Sequence, residues 1–379
     1  MYWLLAFCIC FLNQFHNIYI ANIIFCIWFM VVEFTKRKVV LVNKPGLVIM
    51  CIFLFWSFFS MTLFAIQYGN VSGRNIYQNV YNIQYIFLCL DGFVDKNKLK
   101  KCIQTVSHIL ACAIIVLWIT KTGMRDIAFL QANDRMWADS YFNGWPNSTV
   151  LPLLFGLYLD LKHNIKEKLF SILRISILLF AILLCTSRTG ILGAAFIFSF
   201  YFLRGKDGKR DNYVKIKTIF GMVCIVAGAA LAIYFISSSD LSTRMFTIVD
   251  RLDIVQATMD FVSKRPFVGY GGNSFDVAYV VAKSSVAKIN FGHTHNTILE
   301  ILLRYGIIGL LLFVTYLLTI FRKIKGKDEK VVFLVFWILS LFQIYVRDFV
   351  FLLFIFLLLP NIKFIYGKKD EDHTINCVE

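Results

Sequence analysis

The sequence predicts an all-α polytopic membrane protein with about twelve transmembrane helices and one long extracytoplasmic loop containing amphipathic helices. Three observations lead there. Of the 379 residues, 59% are hydrophobic and 17% aromatic, more apolar surface than a soluble fold has interior to hide. The apolar residues come in runs of helical length without barrel alternation, and only helices or closed barrels leave no backbone polar group unpaired in hydrocarbon. Lys and Arg gather in alternate connections between the runs, as orientation in a bilayer requires.

In order, the runs fall at 1–12, 16–34, 46–66, 77–93, 102–121, 149–161, 169–185, 190–203, 218–236, 297–319, 331–346 and 349–366. The first has neither a basic lead-in nor a small-residue cleavage site, so it reads as a retained span and not a removed signal. With Lys36-Arg37-Lys38 in the cytoplasm, the connections 35–44, 94–101, 161–168, 204–217, 321–330 and the tail all lie inside. Both termini are then cytoplasmic. The formal charge of +16 is thus spread over inside loops and forms no nucleic-acid-binding face. The ten cysteines fall in or near spans or in the tail, which points to packing residues and not to disulfides or thiolate ligands.

The chain reads as one integral membrane domain, 1–379, with two outside connections longer than a turn. The first, 122–148, carries Asp126, Asp134, Arg135 and Asp139 beside Trp137, Tyr141, Phe142 and Trp145. Those aromatics fit an interfacial belt, and stacking on sugar rings would use the same side chains. Trp137, Tyr141 and Trp145 are therefore candidate glycan contacts. The second, 237–296, is a polar segment in a greasy chain and is expected to carry the active site.

Within it, Leu252, Val255, Met259 and Val262 recur at helical spacing, which predicts an amphipathic helix at the membrane surface. Pro266 ends that helix or opens the next turn, and Gly269-Tyr270-Gly271-Gly272 reads as a turn. A weaker helix is expected over Phe275 to Ala287. The chain then re-enters the bilayer with Asn296 or Thr297 as N-cap, and Thr297-x-x-Glu300 fits a capping box. The amino end of that helix favours an anion.

Four side chains stand out. Arg188 lies in a short outside turn between two spans, where a guanidinium either serves a site or snorkels to lipid phosphate; Gly190 nearby would allow close approach. Arg251 and Arg265, fourteen residues apart in the sequence, would stand about 21 Å apart on one helix face. They cannot grip one diphosphate together, so either they serve two ligands or one is a solvated charge. His295, just before the helix start, is placed to take a proton from a hydroxyl at neutral pH. His293 adds a metal reading, but no Cys or third His lies in an outside loop to complete it. No Walker loop, dinucleotide fingerprint or Gly-x-Ser-x-Gly elbow is present.

Three elements in this order resemble the O-antigen ligase and polymerase superfamily of bacterial envelope glycosyltransferases. They are Ser187-Arg188-Thr189-Gly190; Arg251-Leu-Asp-Ile-Val-Gln with Arg265-Pro266-Phe267-Val268-Gly269-Tyr270-Gly271-Gly272-Asn273-Ser274-Phe275; and His295-Asn296-Thr297-Ile298-Leu299-Glu300 followed by Tyr305-Gly306-Ile307-Ile308-Gly309. The motifs cover roughly residues 185 to 320; the first half matches only in hydropathy. One departure is Val255, where the family often has a Trp.

The resemblance implies a multi-pass enzyme of the bacterial cytoplasmic (inner) membrane that passes a glycan from undecaprenyl diphosphate to an acceptor hydroxyl on the outer face. It implies no nucleotide sugar, metal or other cofactor. The partners it implies are the carrier-linked glycan, an acceptor glycan or lipid, the bilayer and a chain-length regulator, with no nucleic acid. Catalytic roles fall on His295, Arg251 and Arg188, and substrate contacts on Arg265 and Asn296. Polymerase and ligase differ only in acceptor, and the aromatic first loop favours polymerase. A transporter is the different-class alternative; transporters show charged or broken mid-span segments and repeat symmetry, whereas the ionisable residues here are read at the outer boundary.

Overall fold

A computed structural model describes residues 2–11, 39–69, 82–122, 146–163, 168–185, 187–203, 241–272, 294, 296–342 and 349–361, with single positions 27, 31, 79, 277, 278 and 281 between them. Ten of the helices there are α1 (Tyr2–Phe11), α2 (Lys44–Tyr68), α3 (Lys96–Thr122), α4 (Pro146–His163), α5 (Lys168–Leu184), α6 (Arg188–Leu203), α7 (Leu241–Lys264), α8 (Thr297–Lys323), α9 (Lys327–Leu339) and α10 (Phe349–Leu358). The protein is mostly helical, as its composition predicts.

Among the described residues, Lys44–Tyr68, Lys96–Thr120 and Thr297–Lys323 are each long and apolar enough to cross a membrane. α1 and stretches of α5 and α6 are shorter and equally apolar in character. Large apolar side chains such as Phe55, Ile66, Phe170 and Leu311 are exposed on the helix surfaces. Lipid is the solvent that accepts such a surface. The expected runs at 16–34 and 218–236 lie outside the described residues, apart from positions 27 and 31.

One expected span is not a continuous α-helix over its described residues. Within 77–93 the chain forms a 3₁₀ helix, Asn82–Cys89, and then a two-residue strand. That strand, β2 (Leu90–Asp91), pairs antiparallel with β1 (Val40–Leu41), so a short ladder stands in the otherwise helical fold. The 3₁₀ winding puts every third side chain on one face, and it buries Asn82, Tyr85 and Leu88 together. Tyr316 from α8 donates its hydroxyl to Tyr85 O at 2.5 Å. Polar anchors of this kind, which hydropathy does not see, replaced a lipid-spanning helix with a packed one.

α2 and α8 form the most extensive helix pair. Asn43 caps α2 by accepting from Gly46 N–H, and its amide donates to Thr319 near the far end of α8 at 3.0 Å. The two helices therefore run antiparallel. α3 packs on α1, α4 and α5, and α6 packs on α4 and α9. Three contacts set the common level of the ends. A Cβ on Gly190 would stand 2.5 Å from Val150 of α4, and one on Gly193 would stand 2.7 Å from Leu339 of α9. The next residue, Ser340, accepts Thr297 N–H at 2.9 Å. The amino ends of α6 and α8 thus lie at the same end of the bundle.

Candidate active site

The site grows from a break in α8. Gly306 has φ 67° and ψ −171° in mid-helix, a conformation that only glycine takes without strain. In an unbroken helix Ile307 N–H would donate to Leu303 O; here it donates to Pro266 O at 2.8 Å. The carbonyls that the break frees are met from outside. Tyr270 N–H donates to Leu303 O at 3.0 Å, Gly271 N–H to Arg304 O at 2.8 Å, and the Trp56 indole to Tyr305 O at 2.9 Å. Backbone groups buried away from water must be paired, so the break and the segment 266–271 require each other.

Glycines make the approach possible. A Cβ on Gly269 would stand 2.6 Å from Gly306 N, and one on Gly271 would stand 2.7 Å from Met61 Cα in α2. Ser60 of α2 donates to Val268 O at 2.5 Å. The Gly-Tyr-Gly-Gly stretch is therefore a turn, as expected, and also a wedge locked between the two longest-packed helices.

Arg265 sits at the root of that wedge. Its guanidinium carbon lies 5.5, 5.4 and 5.6 Å from the ring centres of Phe64, Tyr68 and Tyr270, within cation–π range. Its Nη1 is buried and has no hydrogen-bond partner among the described residues. Burial pushes the Tyr270 phenol up to about 12, so the ring stays neutral and donates its hydroxyl to Phe261 O at 3.0 Å. A guanidinium held by ring faces keeps donors for an anion while losing little freedom on binding it.

α7 leads into this segment, and its buried stripe is not the one the sequence suggests. Ile254, Ala257, Thr258 and Phe261 are buried, whereas Val255 and Met259 are exposed. Ile254, Ala257, Phe261 and Tyr270 cluster with Phe64 of α2 and Leu303 of α8. The helix therefore has two apolar stripes: one packs on protein, and the pair Val255/Met259 faces outward. Of the stripe read from the sequence, Val255 and Met259 are exposed and Val262 is buried; Thr258 interrupts the packed stripe with a polar residue, whose hydroxyl bonds back to Ile254 O at 2.6 Å.

The start of α8 carries the second half of the site. Asn296 is the N-cap, accepting from Ile298 N–H at 2.8 Å and Leu299 N–H at 3.1 Å. The expected capping box between Thr297 and Glu300 does not form. With Asn296 as cap, Glu300 is one position too far along, and its carboxylate reaches back past the cap to Thr294. Glu300 Oε2 accepts from Thr294 N–H at 3.2 Å and from Thr294 Oγ1 at 2.9 Å. Glu300 Oε1 accepts from Arg304 Nε at 2.7 Å and lies 2.6 Å from Arg304 Nη2. Arg304 Nη1 donates to Gly272 O at 2.7 Å. Both charged side chains are 4% exposed or less.

His295 lies outside the described residues, between Thr294 and Asn296, which this network holds. Arg188 is the first residue of α6, capped by Ser187, whose hydroxyl accepts Gly190 N–H at 3.1 Å. The close approach that Gly190 permits is taken by Val150, a packing role. Arg251 lies within α7, which runs unbroken to Lys264, so the separation of about 21 Å from Arg265 follows from helix geometry. Trp137, Tyr141 and Trp145 lie outside the described residues, as do His293 and most of the helix expected over Phe275 to Ala287.

Glu300 and Arg304 as a buried pair, and Gly306 as a break, were missed by sequence reasoning. The signal was there: they are the only charges between Thr297 and Phe321, four residues apart and followed by glycine. Residues 174–314 match the family model described as O-Antigen ligase. Over that stretch the chain is similar to the O-antigen ligase and polymerase superfamily. Among curated proteins none matches the chain. The superfamily is one of membrane glycosyltransferases acting on lipid-linked glycans and acceptors, and the matched stretch holds Arg188, Arg251, Arg265, the wedge, His295 and the Gly306 break together.

Proposed function

We propose that this protein transfers glycan from an undecaprenyl diphosphate carrier to an acceptor hydroxyl at the outer face of the bacterial cytoplasmic membrane, and that it polymerises repeat units of a surface polysaccharide. The observation that carries the reading is the family match over 174–314, which contains every one of the arginines and the histidine assigned to the reaction. His295 takes the proton of the acceptor hydroxyl as its oxygen bonds to the anomeric carbon. The bond from that carbon to phosphate breaks, and undecaprenyl diphosphate leaves with the electron pair. Displacement in line inverts the anomeric centre. Arg188, Arg251 and Arg265 are assigned to the leaving diphosphate and the incoming glycan, and the amino end of α8 favours the same negative charge.

Replacing His295 with Ala is expected to remove the polysaccharide ladder from a gel of surface glycan and to leave carrier-linked single repeats accumulated. A normal ladder from that variant would remove His295 from the chemistry. A ligase would give a different picture in the same gel, with the ladder formed but unattached. Because arginines and a helix end supply the positive charge, EDTA is expected to leave turnover of the purified protein unchanged; inhibition by EDTA that magnesium reverses would overturn the metal-independent reading.

A further inference from the structure

Two halves of the site belong to segments far apart in sequence: Arg265 on the wedge and His295 on the turn before α8. One side-chain pair touches both. Arg304 holds the wedge through Gly272 O at 2.7 Å, and Glu300 holds the turn through Thr294 N–H and Oγ1 at 3.2 and 2.9 Å. The pair is joined by Arg304 Nε to Glu300 Oε1 at 2.7 Å. Thr294 Oγ1 also lies 2.9 Å from Asn296 O, so its one proton is shared between that carbonyl and the Glu300 carboxylate. We infer that Glu300 and Arg304 are positioning residues, a buried bridge that fixes Thr294, the residue before the assigned base in sequence, relative to the wedge that carries Arg265. This rests on the assignment of His295 to the transfer.

Stability alone does not explain the arrangement. A buried ion pair is often no better for stability than an apolar pair of the same volume, because desolvation of both charges offsets their attraction. A leucine pair would fill the same space in a helix already rich in leucine. What apolar side chains cannot do is bond Gly272 O and Thr294 N–H together with fixed direction. Geometry of that kind matters to transfer, since a misplacement of about 1 Å costs a rate on the order of a hundredfold. α2 adds to the same frame through Trp56 and Ser60.

The test uses the full-length protein in proteoliposomes with carrier-linked repeat units, and compares Glu300→Gln, the double variant Glu300→Gln/Arg304→Met, and His295→Ala. The double variant removes both charges at once and leaves no orphaned ion, so it is expected to lose less thermal stability than Glu300→Gln alone, the remaining loss coming from the unpaired Gly272 carbonyl. Its kcat is expected to fall by about a hundredfold with KM for the donor changed far less, because Arg265 stays held by the rings of Phe64, Tyr68 and Tyr270. Glu300→Gln alone is expected to lose kcat and stability together. A double variant that is stable and turns over at the parental rate would overturn the bridge, and so would one whose loss lies wholly in KM. If His295→Ala itself turns over normally, it is the catalytic assignment that fails, and the two outcomes are separable in one experiment.

Discussion

Replacing Gly306 with Ala is expected to destabilise the protein by about 3 kcal/mol or more and to abolish transfer. The strain of φ 67°, ψ −171° in a residue with a Cβ is worth about 1–3 kcal/mol by itself. The added methyl would also stand closer than 3.0 Å to the Phe267 carbonyl and to Val268 N, in a segment pinned by hydrogen bonds at Pro266 O and Val268 O. Relief requires either that the wedge lift off α8 or that α8 straighten. A straightened helix would reclaim Leu303 O and Arg304 O for its own ladder and strand Tyr270 N–H and Gly271 N–H.

Gly69 provides the control. It has nearly the same φ, 68°, but nothing within 4 Å of its virtual Cβ, so Gly69→Ala carries strain without collision and is expected to cost only about 1 kcal/mol. Thermal unfolding of both variants in detergent, with transfer measured per folded molecule, separates the two contributions. Equal shifts for Gly69→Ala and Gly306→Ala would show that the wedge does not press on the helix. If the helix straightens, stability recovers in part but transfer does not, because Arg265 leaves with the wedge.

The contrast between what was readable and what was not follows from these residues. Length and apolarity are one-dimensional quantities, so helices such as α2, α3 and α8 could be placed from sequence to within a few residues. Asn296 as a cap was readable because capping is local. The wedge was not, since Tyr270 and Gly271 bond to carbonyls more than thirty residues ahead, and nothing in a Gly-Tyr-Gly-Gly run says which helix it will meet. Glu300 was assigned to a capping box because the sequence spacing permits one, while the true partner, Thr294, lies before the cap. The expectation that ionisable residues stay at one boundary also gives way. Glu300 and Arg304 are buried inside a broken spanning helix, a feature transporters share, and it is the family match that selects glycan transfer.

A second buried charge shows the same limit and carries the last large effect. Asp160, near the end of α4 remote from Val150, accepts from Gln104 of α3 at 2.5 Å and from Arg174 of α5 at 2.6 Å. His108 Nε2 of α3 lies 2.8 Å from its other oxygen. Three helices converge on one carboxylate that is 5% exposed. Single interhelical hydrogen bonds in membranes average about 0.6 kcal/mol, because helices separated in lipid find other partners. Asp160→Ala removes the shared acceptor of three groups at once, and His108 and Gln104 stay half-buried, so the cost is expected near the lower value for breaking a buried pair, about 3 kcal/mol. Arg174→Ala is expected to cost about 1 kcal/mol or less, since its side chain is 35% exposed and solvent or headgroups share its charge. Because the cluster lies about ten residues down α4 from the level of Arg188 and Asn296, Asp160→Ala should lower the unfolding temperature and the amount of protein in the membrane while turnover per folded molecule stays at the parental value. A loss of turnover without loss of stability would instead couple this end of the bundle to the chemistry at the other.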